Sequence, residues 1–182
     1  MNKNEILTIL EDWNFWKRDI ETGIPRNSYL EKLQRLMTSN QVVAVIGPRR
    51  SGKSFIMRQF AKQLMEQGVD KKNILFINFE DPRFPKLDAK TLGEIYEIYL
   101  EFLRPAGEVF VFLDEIQEVA EWEKWVRVMH ELQKARIVIS GSNADLLSHE
   151  LATVLTGRHL NLTIFPLSFR EYLLFNNLAI ND

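Results

Sequence analysis

Apolar residues fall into two patterns along this chain: short unbroken runs, and longer stretches in which they recur every three or four positions. The unbroken runs are Gln41–Ile46, Asn73–Asn78, Val109–Leu113 and Arg136–Ser140, rich in valine, isoleucine and phenylalanine. Each is too short for a buried helix and reads as a strand covered on both faces. Phe55–Met65, Thr91–Leu103 and Glu121–Lys134 carry helical spacing between them, the first stopping near Gly68. Such alternation predicts a parallel sheet with helices on both faces, an α/β class fold. His159–Ile164 supplies a fifth strand, and Ser168–Phe175 a closing helix capped by Ser168. Ahead of the first strand, Asn4 to Ile20 reads as an amphipathic cover in which Trp13, Phe15 and Trp16 pack inward. Pro25 breaks it, and Tyr29–Met37 forms a second helix with Asn27 or Ser28 as its cap. There is no internal repeat, low-complexity tract or linker.

The bulk numbers narrow this picture. A length of 182 residues, 46% of them apolar, suits one domain with a full core. A formal charge of -2 disfavours a polyanion-binding surface on this segment. With no cysteine there are no disulfides, thiolate metal sites or thiol nucleophiles. No stretch resembles a signal-peptide core or approaches the ~18 apolar residues of a membrane helix, so the expectation is a soluble, cytoplasmic protein.

The chemistry is concentrated after the first strand. Gly47, Pro48, Arg49, Arg50, Ser51, Gly52, Lys53 and Ser54 match G-x-x-x-x-G-K-[ST], with a strand before and a helix after. Glycines let the backbone curl so that successive N–H groups converge on an anion; Lys53 adds a mobile cation and Ser54 a hydroxyl ligand for Mg²⁺. A nucleoside triphosphate with Mg²⁺ is the expected guest, lined by residues 47 to 54 and by Phe55, with the Arg49 and Arg50 side chains facing solvent.

Asp114 and Glu115 emerge from the third strand, where two different carboxylates serve two purposes. Asp114 is expected to hold Mg²⁺ through water opposite Ser54, and Glu115 to polarise the attacking water. The next strand ends Ser140-Gly141-Ser142-Asn143. If it lies between the other two, Asn143, or Ser142 as second choice, faces the terminal phosphate; otherwise the quartet caps the following helix. Asn78, at the tip of the second strand, either restrains Glu115 or satisfies backbone groups. Arg158 either supplies charge to a neighbouring subunit's phosphate or forms a surface ion pair. His130, His149 and His159 have no metal-like spacing.

With these elements placed, the chain resembles the ATP-binding domain of the AAA-superfamily ATPases common in bacteria and archaea. The resemblance rests on Gly47–Ser54, Phe76–Pro82, Phe112–Gln117 with Trp122, Ser140–Asn143, and Leu155–Arg158 followed by Phe165–Tyr172, in that order. It implies a three-layer P-loop NTPase sandwich of the AAA/ASCE type, residues 26–182, behind an N-terminal helical extension, residues 1–25. The implied sheet order is 5-1-4-3-2, with the fourth strand between the first and third. It also implies ATP with Mg²⁺, Lys53 on the β- and γ-phosphates, Ser54 and Asp114 at the metal, and Glu115 as catalytic base; Asn143 and Arg158 stand beside these as the further catalytic candidates read from their positions. The expected activity is Mg²⁺-dependent ATP hydrolysis coupled to a conformational change for a protein partner. A nucleotide-gated interaction module with little hydrolysis and a small-molecule kinase are the alternatives; the Asp114-Glu115 pair points to an activated water rather than a kinase acceptor. Members of this family usually continue well past the Pro-Leu-Ser-Phe segment. Any lid, and any nucleic-acid contact, is therefore expected beyond Asp182, turnover by this segment alone is expected to be weak, and use of Arg158 would require a homo-oligomer.

Overall fold

The computed structural model describes residues 1–141 and 157–178. Its elements, in chain order, are α1 (Lys3–Trp13), α2 (Asn27–Met37), β1 (Val42–Ile46), α3 (Lys53–Glu66), β2 (Ile74–Asn78), β3 (Leu87–Asp88), α4 (Ala89–Leu103), β4 (Phe110–Asp114), β5 (Val119–Ala120), α5 (Trp122–Glu131), β6 (Arg136–Gly141), β7 (His159–Thr163) and α6 (Phe169–Phe175). The main sheet is parallel, in the order β2-β4-β6-β1-β7. Counted alone in chain order, its five long strands stand 2-3-4-1-5, which is the expected order read from the opposite edge. The numbering shifts because β3 and β5, unanticipated two-residue strands, pair into a small parallel sheet of their own.

The run-like strands alternate faces residue by residue, as the two-residue period of a strand requires. Val42, Ala44, Leu75, Ile77, Val111 and Leu113 join a core completed by α1, α4 and α5. Val43, Val45, Phe76, Phe110 and Phe112 face a second core under α2 and α3. These are the three layers, and they explain why the strand sequences read as unbroken apolar runs instead of alternating ones.

Three helical boundaries differ from expectation. Helix α1 stops at Trp13 because Asn14 is buried and its amide turns onto the backbone of β2, donating to the Phe76 carbonyl at 2.8 Å and accepting from its N–H at 2.7 Å. Neither Asn27 nor Ser28 caps α2: both lie inside it, the N-cap is Arg26, and no side-chain capping bond is made there. Helix α5 closes at Glu131, short of Lys134, where the chain turns through the positive φ of Gln133 to enter β6. At α6 the expected cap is present, since Ser168 and Glu171 form a reciprocal capping box. Among the described residues no helix is long and apolar enough to cross a membrane.

Candidate functional site

Because the strands are parallel and in register, Ile46 lies beside Gly141, and Leu113 beside Ile139. The carboxyl ends of β1, β4 and β6 therefore lie along one edge of the sheet, the place where open α/β sheets bind ligands. The loop that leaves β1 needs glycine at Gly47: its φ is +147°, and a Cβ there would stand 2.2 Å from the Ile164 carbonyl oxygen. Gly52, at φ +94°, turns the chain into α3.

Lys53, only 4% exposed, opens α3 and donates to the carbonyls of Gly47 at 3.2 Å and Pro48 at 3.4 Å. Its ammonium also lies 3.7 Å from Glu115 Oε1. Glu115 follows β4 in a left-handed conformation, φ 54°, unusual for a glutamate and one that swings its carboxylate toward the loop. Gln117 donates to Glu115 Oε2 at 2.7 Å.

Asp114 is fully buried at the end of β4. Ser140, on β6, donates to its Oδ1 at 2.5 Å and accepts from the Glu115 N–H at 3.1 Å. Burial pushes the Asp114 carboxyl above its ordinary pKa, and the Glu115 charge adds to this, while the Ser140 and Ser54 hydroxyls and the Arg58 charge work against it. Its Oδ2 has no hydrogen-bond partner among the described residues. An orphaned carboxylate oxygen beside a serine hydroxyl is a hard-oxygen pair suited to Mg²⁺, and the residues present thus fit that ion.

A cleft of about 460 Å³ opens over these groups, lined by Arg50, Lys53, Ser54, Arg58, Glu80 and Glu115 among others. Other clefts are larger, such as one of about 570 Å³ between α1 and Pro82–Pro85, but that one is lined largely by Met1, Ile9, Pro82, Phe84 and Pro85 and includes no residue of the phosphate loop. Arg49 and Arg50 are exposed at the rim of this cleft, Arg49 lying 3.4 Å from Glu80. Phe55 is exposed at the rim, and Ser51 is buried within the loop. Asn78 spends its side-chain carbonyl on the Glu80 N–H at 2.9 Å, the backbone role of its two alternatives.

Asn143 and Ser142 lie outside the described residues, as does His149. Arg158 precedes β7, with its carbonyl accepting from Val42 at the start of β1, and pairs with Glu131. It sits at the amino edge of the sheet, a strand length or about 15 Å from the loop of its own chain.

Three residues at the site were missed by the sequence reading. Ser140 carried a weak signal, a hydroxyl ending an apolar strand. Arg58 sits one helical turn after Ser54; its guanidinium lies 5.1 Å from the Trp13 ring and 5.6 Å from Phe76, and burial lowers its pKa. Arg26 donates to the carbonyl of Ser51 at 3.0 Å, a contact with no local sequence signature.

The family model described as AAA domain matches residues 39–173. An uncharacterised protein of Haemophilus influenzae is 40% identical over 151 residues, covering 82% of this chain and 37% of its own length. Another, from Methanocaldococcus jannaschii, is 36% identical over 141 residues, covering 78% of this chain and 30% of its own length. At 37% and 30%, the chain spans about a third of the length of these curated relatives. Among solved structures, the Walker-type ATPase of Pyrococcus abyssi superposes with a TM-score of 0.63 at 15% identity, covering 90% of this chain and 63% of its own, a likeness of fold.

Proposed function

Since the chain belongs to the AAA domain family, we propose that it binds ATP with Mg²⁺ over residues 47–55 and hydrolyses it. The observation that carries this reading is the convergence of Lys53, Ser54, Asp114, Glu115 and Ser140 at one carboxyl edge, with Asp114 Oδ2 unpaired among the described residues.

The loop amides and the Lys53 ammonium bind the phosphates, the lysine exchanging the Gly47 and Pro48 carbonyls for phosphate oxygens. Ser54 and Asp114 hold Mg²⁺, which when bound supplies positive charge against the charge that develops on the phosphates. Ser140 fixes Asp114 and, through the Glu115 N–H, the backbone from which the base projects. Glu115 orients a water and takes its proton as the water oxygen attacks the terminal phosphorus; the bond to ADP breaks and its electrons leave with the ADP oxygen. Gln117 already occupies one Glu115 oxygen, which favours slow basal turnover until a partner frees the base. Asn143, or Ser142, follows β6 directly and would orient the same water. Arg158 would act on a neighbouring subunit's site, because in its own chain it stands at the opposite sheet edge. A protein partner, and any nucleic acid, would be engaged through regions beyond this segment.

Lys53→Ala is expected to weaken ATP binding by 100-fold or more, on the order of the charge-assisted contacts it removes. Glu115→Gln is expected to bind ATP normally and lower phosphate release by about 100-fold or more. Titration calorimetry and a phosphate-release assay separate the two. Undiminished release from the glutamine variant would refute the assigned base, and transfer of phosphate to an added metabolite rather than to water would refute hydrolysis.

A further inference from the structure

Arg26 is the most heavily engaged side chain beneath the phosphate loop, although it precedes the loop by more than twenty positions. Its side chain is 5% exposed. Nη1 donates to the carbonyl of Ser51 at 3.0 Å and to that of Phe165 at 3.0 Å. Nε and Nη2 donate to the two carboxylate oxygens of Glu171, on α6, at 2.8 and 3.1 Å. The guanidinium also lies over the Tyr29 ring, 4.4 Å from its centre, while the Tyr29 hydroxyl accepts from the Phe165 N–H at 3.2 Å.

The backbone of this arginine is pinned to the helix that follows the loop. Gln59 of α3 accepts from the Arg26 N–H at 3.3 Å and donates to the carbonyls of Thr22 and Ile24 at 2.7 and 2.9 Å. Loop amides can aim at an anion only while the neighbouring carbonyls turn away from it, and a turned-away, buried carbonyl needs a donor. Arg26 is that donor for Ser51. The opposite edge of the same rigid fork is filled by Glu171, so neither contact can shift without disturbing the other.

We infer that Arg26 is a positioning residue for nucleotide binding. It holds the Ser51 carbonyl outward and clamps Glu171, so that anion capture by the loop and the seating of α6 form one coupled equilibrium. This rests on the nucleotide reading above and assigns that site a route of communication to the C-terminal helix. Linkage makes the coupling reciprocal: nucleotide tightens the seat of α6, and displacement of α6 loosens nucleotide.

The test compares the wild-type chain with Arg26→Lys, Glu171→Gln and, as control, Lys53→Ala. Mg²⁺-ADP affinity is measured by titration, and amide hydrogen exchange is followed across residues 169–175 with and without Mg²⁺-ADP. Arg26→Lys and Glu171→Gln are each expected to weaken ADP binding by about tenfold, a usual size for site-to-site coupling. ADP is expected to slow exchange in α6 of the wild type and to lose that effect in Glu171→Gln. A structural role alone would lower the melting temperature while leaving ADP affinity unchanged, and that result would overturn the inference, as would wild-type α6 exchange that ignores ADP. Should Arg26→Lys fail to fold, Glu171→Gln and the wild-type exchange measurement decide. Wild-type protein that binds no ADP would overturn the nucleotide reading and this inference with it. ADP binding that is lost in Lys53→Ala but unaltered in Glu171→Gln would overturn the tether alone.

Discussion

The two edges of the main sheet are finished in opposite ways. At the β2 edge, side chains of the N-terminal segment substitute for a missing strand: Asn14 pairs with both backbone groups of Phe76, and Trp16 donates to the Ile74 carbonyl at 2.9 Å. Trp16 also stacks on Tyr99, 5.8 Å between ring centres, inside the core shared by α1 and α4. The β7 edge ends instead in a segment whose large apolar groups are exposed, with Phe165 at 62% and Phe169 at 78%. No residue of α6 is buried, and polar contacts from Arg26 and Tyr29 tie this segment to the rest. One edge is sealed by burial and matched backbone bonds; the other is latched by a guanidinium that also touches the phosphate loop. A sealed edge resists opening up to the free energy of global unfolding, whereas a polar latch gives way locally, and mobile functional elements are drawn from the second kind.

Substitutions at the two edges should therefore report on different properties. Asn14→Ala strips two buried backbone groups of Phe76 of their hydrogen bonds and is expected to lower stability by about 2–6 kcal/mol, since buried unsatisfied groups cost about 1–3 kcal/mol each. Denaturant unfolding would show the lowered midpoint, and Mg²⁺-ADP affinity should be unaltered; a changed affinity would break the distinction between the edges.

The latch should depend on pH with a definite sign. Arg26 holds the Glu171 carboxyl at about 2, below its ordinary 4.5, so the unfolded chain takes up the proton first and acid favours unfolding. Stability from the pair is fully present above pH 4.5 and is lost as pH falls through about 2. In unfolding experiments the gap between wild type and Glu171→Gln should be constant from pH 5 to 8 and shrink across that acid window. A gap that persists at the acid end would exclude the ion pair as its cause. The smallest effect belongs to Lys3→Ala: the Lys3–Glu101 pair is 62% and 60% exposed, so its loss should change stability by under about 0.5 kcal/mol. A larger change in an unfolding titration would mean that α1 is held by its surface charges as well as by burial.

The parts of the site legible in the chain are those whose chemistry is local. The loop from Gly47 to Ser54 is recognisable because glycine spacing, lysine and serine act within one turn of backbone, and the Asp114-Glu115 pair because both ride on one strand end. The five long strands were readable for a related reason, since burial on both faces leaves an unbroken apolar run. The residues that orient the site were not readable, because their partners are remote. Ser140 meets Asp114 across 26 positions, Asn14 meets Phe76 across 62, and Arg26 meets Glu171 across 145. The same remoteness explains why α1 ended early: its helical pattern ran on, but Asn14 was taken by the edge of β2.

The sequence by itself determined the succession of strands and helices, the anion cradle and the paired carboxylates, since backbone conformation and side-chain periodicity are local properties. Tertiary structure alone decided which edge is sealed, which arginine lies under the loop, that Asp114 is buried against Ser140, and that Arg158 faces away from its own site. Those outcomes follow from strand order and register, which bring distant residues together and exclude water from between them.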